Sequence, residues 1–588
     1  MELRSVLAES ALFATLAPTA LDALAAIATP LELKSGERLF AEGDPAELLY
    51  IVATGRLRAT VGDGQVVGFI GRLEPVGEIG LISGENRSAT VHAVRDSLLI
   101  QLHRDKLLEF LIAHPTALIA ITRVLIGRLR QNQRQQKLGS ARSARTFTVI
   151  SATPAINAAA FAHDLHQQLK AQDTSHLLTA GAVESALGEG MAHSADGAGN
   201  TQLMEWLNRL EREHRFLVYS AGAEPDLWAR RCMRQADRVL VLADARSTPV
   251  ATPMLDVLAR SGILASVELI LLRPADAGGG EVLAWKSITG ARAHYFLRPG
   301  NSADLESLVR QLTGRAIGLV LGGGGARGFA HLGLMRALEE LRIPVDVTGG
   351  SSMGAFISAL LACGYSSHEM LHLLRETFVT HNYLNDYMFP RIALIRGRKF
   401  LRRLRDIFGE QKIEHLRKPW FCVTTNLTRG TAMVHDQGPL EIWLAASMTV
   451  PGIAPPLVYK GELLADGAVV NSLPTDVMQG LERGPIIASD VSTEGDIRAT
   501  GMEGPDPEGL LNWTGPGEPP NLRDILFRTA TLTSESGVRR RAASADLYLR
   551  MPVGGIGMFE WKRVEEIVER GYQFAKEKLT AAQDLLLK

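Results

Sequence analysis

Only three cysteines, Cys232, Cys363 and Cys422, occur in 588 residues. They are too few and too scattered for a disulfide framework and show no metal-ligand spacing, which fits a reducing compartment. Long apolar runs are missing as well. No uninterrupted stretch reaches the roughly 18 residues that a membrane-crossing helix needs, and residues 1–30 lack the basic start, apolar core and cleavage site of a secretion signal. The expected location is the cytoplasm, with any membrane contact peripheral. Neither sign of charge dominates: 63 basic against 64 acidic side chains leave a net −1, so the chain as a whole offers nucleic acid no electrostatic attraction.

What the chain has is length. At 588 residues it exceeds one hydrophobic core, and about 150 residues per domain predicts three or four domains. Residues 316–354 read AIGLVLGGGGARGFAHLGLMRALEELRIPVDVTGGSSMG. The apolar run 316–321 predicts a buried strand, four glycines follow, the spacing over 328–341 predicts a helix, and 345–348 predicts a second strand. Next comes G-x-S-x-G, with Ser352 between Gly350 and Gly354 and a helix expected over 355–362. Small flanking residues let the backbone turn tightly enough to lift one hydroxyl clear of the sheet, the mechanical content of a nucleophile elbow.

A serine attacking an acyl carbon needs donors for the oxyanion it creates and a base for its proton. Residues 322–325 stand at a predicted helix N-terminus, where bare amides and the helix dipole suit an oxyanion. Downstream, 462–465 predicts a short strand running into Asp466-Gly467-Ala468, and Asp466 is the candidate base. A free aspartate titrates near about 3.9, so the pair works only if burial raises that value or the alkoxide is strongly stabilised. His331 is the rival base; its neighbours Phe329, Leu332 and Leu334 fit a packed structural histidine better. A glycine run between strand and helix is also the dinucleotide fingerprint, with Asp346 near the place of a ribose-binding acid, but such a site uses neither G-x-S-x-G nor D-G-A. No Lys-Ser or Lys-Thr follows the glycines, so a phosphate-binding loop of that type is excluded.

G-G-G-A-R-G at 323–328, G-S-S-M-G at 350–354 and D-G-A at 466–468, in that order across 317–479, resemble the patatin-like phospholipase family. A-S-M-T-V-P-G at 446–452 and N-S-L-P at 471–474 resemble segments flanking that family's aspartate. The resemblance implies a Ser–Asp dyad with Ser352 as nucleophile and Asp466 as general base, and an oxyanion hole drawn from Gly323, Gly324, Gly325, Arg327 and Gly328, with Arg327 supporting the loop. It implies no metal.

Over 31–102 short alternating stretches separated by glycine turns predict a small β-barrel. Within it Gly77 and Glu78 open G-E-I-G-L, and Arg87 and Ser88 open R-S-A-T. A helical turn with free amides, a carboxylate for a ribose hydroxyl and an arginine for a phosphate suit a cyclic phosphate. The segment resembles the phosphate-binding cassette of the cyclic nucleotide-binding domain family, which implies a cyclic nucleotide as effector; an internal pairing of Arg87 is the alternative.

Residues 105–138 predict a long helix ending in Arg128, Arg130, Arg134 and Lys137. The strand signature at 147–152 then stands where a DNA-binding member of the cyclic-nucleotide type would place a helix-turn-helix. Over 147–314 strands at 216–220, 238–243 and 267–272 alternate with helical stretches, predicting a parallel sheet without a Walker lysine, a structural or coupling domain. Residues 383–408 mix apolar and basic side chains and read either as a surface for anionic lipid or as a helix with a charged outer face. A mobile loop is expected at 493–521, and closing helices at 522–534 and 563–587.

The expected fold is multidomain α/β: an N-terminal cyclic nucleotide-binding β-barrel with helices (1–138), a linker (139–146), a middle parallel α/β domain (147–314) and a C-terminal patatin-like α/β hydrolase domain (315–588). This order resembles the neuropathy target esterase family of lysophospholipases, with one nucleotide-type domain where the longer animal members have several and with no recognisable transmembrane anchor. The expected activity is hydrolysis of acyl esters of lysophospholipids or phospholipids through an acyl-enzyme. The competing class is a cyclic-nucleotide-responsive binding protein with an inert hydrolase site.

Overall fold

The computed structural model describes residues 3–115, 144–492 and 540–587, except 11, 15, 63, 79, 81–83, 196 and 275–277, together with Ile525, Thr529 and Gly537. The helix expected over 105–138 stops early: it spans Arg104–Ala113 and ends at His114, whose backbone is non-helical, before Pro115. Residues 116–138, most of the basic linker, the loop expected at 493–521 and nearly all of 522–534 lie outside the described residues. The chain divides into two units, Met1–Gly314 and Arg315–Lys588.

The first unit opens with an antiparallel sheet of β1 (Ala28–Leu33), β2 (Arg38–Phe40), β3 (Leu48–Val61), β4 (Gln65–Ile70), β5 (Pro75–Val76) and β6 (Thr90–His103). Its order is β1-β6-β3-β4, with β2 on β6 and β5 on β3. Alternation along β3 and β6 sends Tyr50, Val52, Leu57 and Leu99 into one core. Leu49, Ile51, Ile100 and Leu102 face a second core against the flanking helices, as the period-2 pattern requires.

A second sheet follows in the same unit: β7 (Thr146–Ser151), β8 (Ser175–Leu178), β9 (Phe216–Ser220), β10 (Arg238–Asp244), β11 (Ser266–Leu272) and β12 (Ala293–Leu297). The order is β12-β11-β10-β7-β9-β8, and every pairing is parallel. Helices cover both faces, which is why these strands read as continuous apolar runs. Val149, Leu240 and Leu242 meet Phe161 and Leu165 on one side, while Val239 and Val241 meet Trp228 and Leu255 on the other.

Between barrel and parallel sheet Arg95 of β6 is buried. Its Nη2 and Nη1 donate to the Glu211 carboxylate at 2.6 and 2.9 Å, and its Nε donates to Asp237 Oδ1 at 2.9 Å. Burial works against both charges, but the opposite partners outweigh it: Arg95 is held further above its usual range and Asp237 below its own.

The second unit carries β13 (Gly318–Leu321), β14 (Val347–Gly350), β15 (Trp420–Asn426), β16 (Thr431–His435), β17 (Leu457–Tyr459), β18 (Glu462–Asp466), β19 (Ile486–Asp490) and β20 (Leu547–Arg550). The order is β17-β18-β15-β14-β13-β19-β20, with β16 on β15. The run β15-β14-β13-β19-β20 is parallel and β18 is antiparallel to β15. Register places the candidate site: Gly350 pairs with Cys422 and Asp466 pairs with Thr424. Two residues past Gly350 and the end of β18 therefore stand at the same level of β15, although 114 positions separate Ser352 from Asp466. The second strand starts at Val347, two residues later than its apolar pattern predicts, because pairing with Gly318 begins there.

Candidate active site

Ser352 lies two residues past the end of β14 and immediately precedes the helix Met353–Cys363. Its backbone has φ 54° and ψ −125°, a conformation side-chain-bearing residues avoid and which persists only when the surroundings enforce it. Close packing enforces it here. A Cβ on Gly350 would lie 2.5 Å from the Leu321 carbonyl oxygen, and one on Gly354 would lie 2.1 Å from the same atom. The Ser352 amide donates to Ser447 Oγ at 3.1 Å, and that hydroxyl donates to the Val423 carbonyl at 2.7 Å.

Ser352 Oγ donates to Asp466 Oδ2 at 2.6 Å, and the other carboxylate oxygen accepts from the Ala468 amide at 2.8 Å. The turn that D-G-A suggests is thus present alongside the serine contact, each using one oxygen. Asp466 is 1% exposed and Ser352 6%. Burial raises the Asp466 carboxyl to about 7, against the pull of its hydrogen bonds from Ser352 and Ala468.

The glycine loop leaves β13 beside this pair. A Cβ on Gly323 would come within 3.1 Å of Ser352 Cβ, but the Gly323 amide already donates to the Ser472 carbonyl at 3.0 Å. Gly324 and Gly325 continue the loop past Gly323, against Val491 and Met558, and among the described residues no acceptor is recorded for either amide. Arg327 is buried and its Nε donates to the Ile556 carbonyl at 2.7 Å, tying the loop to a distant segment. Gly328 lies against Met353, whose Cγ would be 2.4 Å from an added Cβ.

His331 is fully buried, with Nε2 donating to the Gly322 carbonyl and Nδ1 accepting from the Ser489 hydroxyl, both at 2.9 Å. Burial lowers its pKa to about 4, so both ring nitrogens are committed and the ring is neutral. It fixes the glycine loop, and among the described residues its hydrogen bonds go to Gly322 and Ser489 and not to Ser352. Asp346, the rival ribose acid, accepts from the Ile317 amide at 3.1 Å and is buried in the sheet. Ser447 and Ser489 are partners that sequence reasoning did not assign: Ser447 lies in the A-S-M-T-V-P-G segment without a role, and Ser489 ends an apolar run just before Asp490.

A cavity of about 480 Å3 in the same unit is walled by Phe378, Leu394, Ile395, Ile453 and Trp561. It is chain-continuous with the site on two sides. Phe559 follows Met558, whose carbonyl accepts from Ala326 at 2.8 Å, and Ile453 lies four residues past Thr449, whose carbonyl accepts from the Asp466 amide at 2.9 Å. Among the described residues no group of three or more His, Cys, Asp or Glu side chains is arranged to hold a metal ion.

In the barrel, Arg87 Nη1 donates to the Gly77 carbonyl at 2.9 Å and Nη2 to the Leu48 carbonyl at 2.7 Å, with the guanidinium 4.2 Å above the Phe40 ring. Arg87 and Glu78 are buried and Ser88 is exposed. Gly77 has φ 81°, and a Cβ there would strike Arg87. The arginine is thus anchored by two protein carbonyls, while among the described residues its Nε has no hydrogen-bond partner.

Residues 319–478 match the patatin-like phospholipase family, 143–295 the P-loop-like domain of the neuropathy target esterase family, and 30–114 the cyclic nucleotide-binding domain family. An uncharacterised protein of the neuropathy target esterase family from Mycobacterium tuberculosis is 30% identical over 581 residues, covering 96% of this chain and 94% of that one. Human patatin-like phospholipase domain-containing protein 6 is 30% identical over 92% of this chain, and the Drosophila melanogaster neuropathy target esterase sws is 29% identical over 92%. The chain spans 44% and 42% of the lengths of these two animal proteins. Among solved structures, a cAMP-bound regulatory domain of Toxoplasma gondii PKA aligns at 30% identity over 18% of this chain and 43% of its own, with TM-score 0.18.

Proposed function

The chain belongs to the neuropathy target esterase family of patatin-like phospholipases, and from that premise we propose that its second unit hydrolyses acyl esters of lysophospholipids through Ser352 and Asp466. The observation that carries the reading is the 2.6 Å contact between Ser352 Oγ and an Asp466 whose carboxyl burial raises to about 7. A base poised near neutral pH can take the hydroxyl proton as the alkoxide forms.

Ser352 Oγ bonds to the ester carbon as its proton passes to Asp466. The carbonyl oxygen becomes an oxyanion held by the Gly324 and Gly325 amides, which cost no reorganisation at that moment. Collapse breaks the ester C–O bond, and the alcohol leaves with the proton from Asp466. Water then attacks the acyl-serine, giving a proton to Asp466, and the fatty acid departs as Ser352 is reprotonated. The apolar side of the cavity, with Phe378, Leu394, Ile395, Ile453 and Trp561, suits an acyl chain, and the side with Glu560, Lys562 and Arg563 suits a polar headgroup.

Fluorophosphonate labelling of the full chain tests this: the wild type labels and releases fatty acid from a lysophospholipid, and Ser352→Ala does neither. Labelling that survives Ser352→Ala would remove the assignment. The barrel is the regulatory element in this reading, with the phosphate of a cyclic nucleotide meeting the Arg87 guanidinium. Calorimetry with cAMP and cGMP checks that part, and absence of heat with both ligands defeats it.

A further inference from the structure

Residues 383–408 form two elements. The helix Arg398–Phe408 buries Phe400, Leu404 and Phe408 at every fourth position and turns its charges outward, an ordinary amphipathic helix. The irregular apolar spacing before it belongs to a turn closed by the antiparallel bridge Tyr387↔Ile395, with Met388 N donating to the Leu394 carbonyl at 3.0 Å and Arg396 N to the Asp386 carbonyl at 2.9 Å. At its tip Phe389 is 81% and Ile392 66% exposed.

The charge around this tip has one sign. Residues 391–405 hold seven basic side chains, Arg391, Arg396, Arg398, Lys399, Arg402, Arg403 and Arg405, and no acidic one. Arg405 lies 3.8 Å from Glu441, whereas Arg391, Arg396, Arg398 and Arg402 have no carboxylate within ion-pair distance among the described residues. The carboxylate of Asp386 accepts from the Gly397 and Lys399 amides, and Asp406 follows the run on the same helix. The turn is also a wall of the cavity, through Tyr387, Leu394 and Ile395.

We propose that this turn is an interfacial anchor for a bilayer carrying anionic phospholipid: Phe389 and Ile392 enter the boundary between headgroups and acyl chains, and the unpaired arginines meet the lipid phosphates. Two exposed apolar side chains on a rigid turn, ringed by uncompensated positive charge, match a surface that is apolar inside and negative outside. The inference rests on and deepens the hydrolase reading, since the anchor sets the cavity wall against the layer from which an acyl chain would be drawn.

The test is co-sedimentation of the full chain with vesicles of phosphatidylcholine alone or mixed with phosphatidylserine. The wild type is expected to pellet with the mixed vesicles, less so as salt rises. Phe389→Ser with Ile392→Ser, and separately Arg391→Ala with Arg396→Ala, should each weaken binding about tenfold or more while hydrolysis of a soluble short-chain ester stays at the wild-type rate. Ser352→Ala should bind vesicles like the wild type, so loss of chemistry and loss of docking are read apart. Equal pelleting of either double variant and the wild type, or equal binding to both vesicle types, would overturn the proposal. So would lipid-independent self-association that the Phe389→Ser, Ile392→Ser variant abolishes, because a second copy of the chain would then be the occupant.

Discussion

Asp466 carries opposite demands. Its burial raises the carboxyl to about 7, which suits proton transfer at neutral pH but disfavours the ionised form in the folded chain. For activity, kcat/KM should climb as Asp466 loses its proton and level off above about pH 7, and Asp466→Asn should abolish turnover at every pH; full activity in that variant would sink the dyad. Stability runs the other way. A folded pKa above the unfolded 3.8 means the folded state holds a proton that the unfolded state has lost, so this group's contribution is complete below about pH 4 and is lost as pH rises through about 7. The melting temperature of Asp466→Asn relative to wild type should therefore improve between pH 5 and 8. Ser352 and Asp466 were legible because their motifs are local: small residues around a turn, and a carboxylate before a glycine. Ser447 and Ser489 were not, since each meets its partner across about 95 and 158 positions and nothing beside either residue in the chain announces that partner.

The element proposed to supply the oxyanion donors is the loop between β13 and the helix Ala330–Glu340, and His331 is its internal brace. Losing both its bonds and its volume in a site with no solvent should cost about 2–4 kcal/mol in His331→Ala, read as a lower unfolding temperature. Turnover should fall as the loop loosens, while the acid limb of the pH profile stays near 7, because Asp466 is untouched. A limb that moved or vanished would make His331 the base instead. The strand, loop and helix order around the glycines follows from apolar runs and periodicity alone. The turn at Tyr387–Ile395 escaped that reading although Pro390 at its tip is a turn signal, because the strand pairing that closes it is a single bridge between Tyr387 and Ile395.

For the molecule as a whole, the parallel α/β domain and the barrel were legible from strand composition and glycine turns, while their attachment to each other was not. Arg95, Glu211 and Asp237 lie up to 142 positions apart, and each alone reads as an ordinary surface charge. Arg95→Ala would leave two carboxylates buried without their main partner. It should lower the stability of the unit Met1–Gly314 by about 3–5 kcal/mol, seen as a shifted calorimetric transition in the full chain, whereas a surface change such as Arg209→Ala should leave that transition within about 0.5 kcal/mol. The same triad bears on how the protein can be cut. A fragment ending after the barrel strips Arg95 of both counter-ions and bares a guanidinium seat made for them, so a recombinant piece ending near residue 138 should aggregate or melt early where one ending at Gly314 survives; whoever wants the nucleotide module must carry its neighbour along.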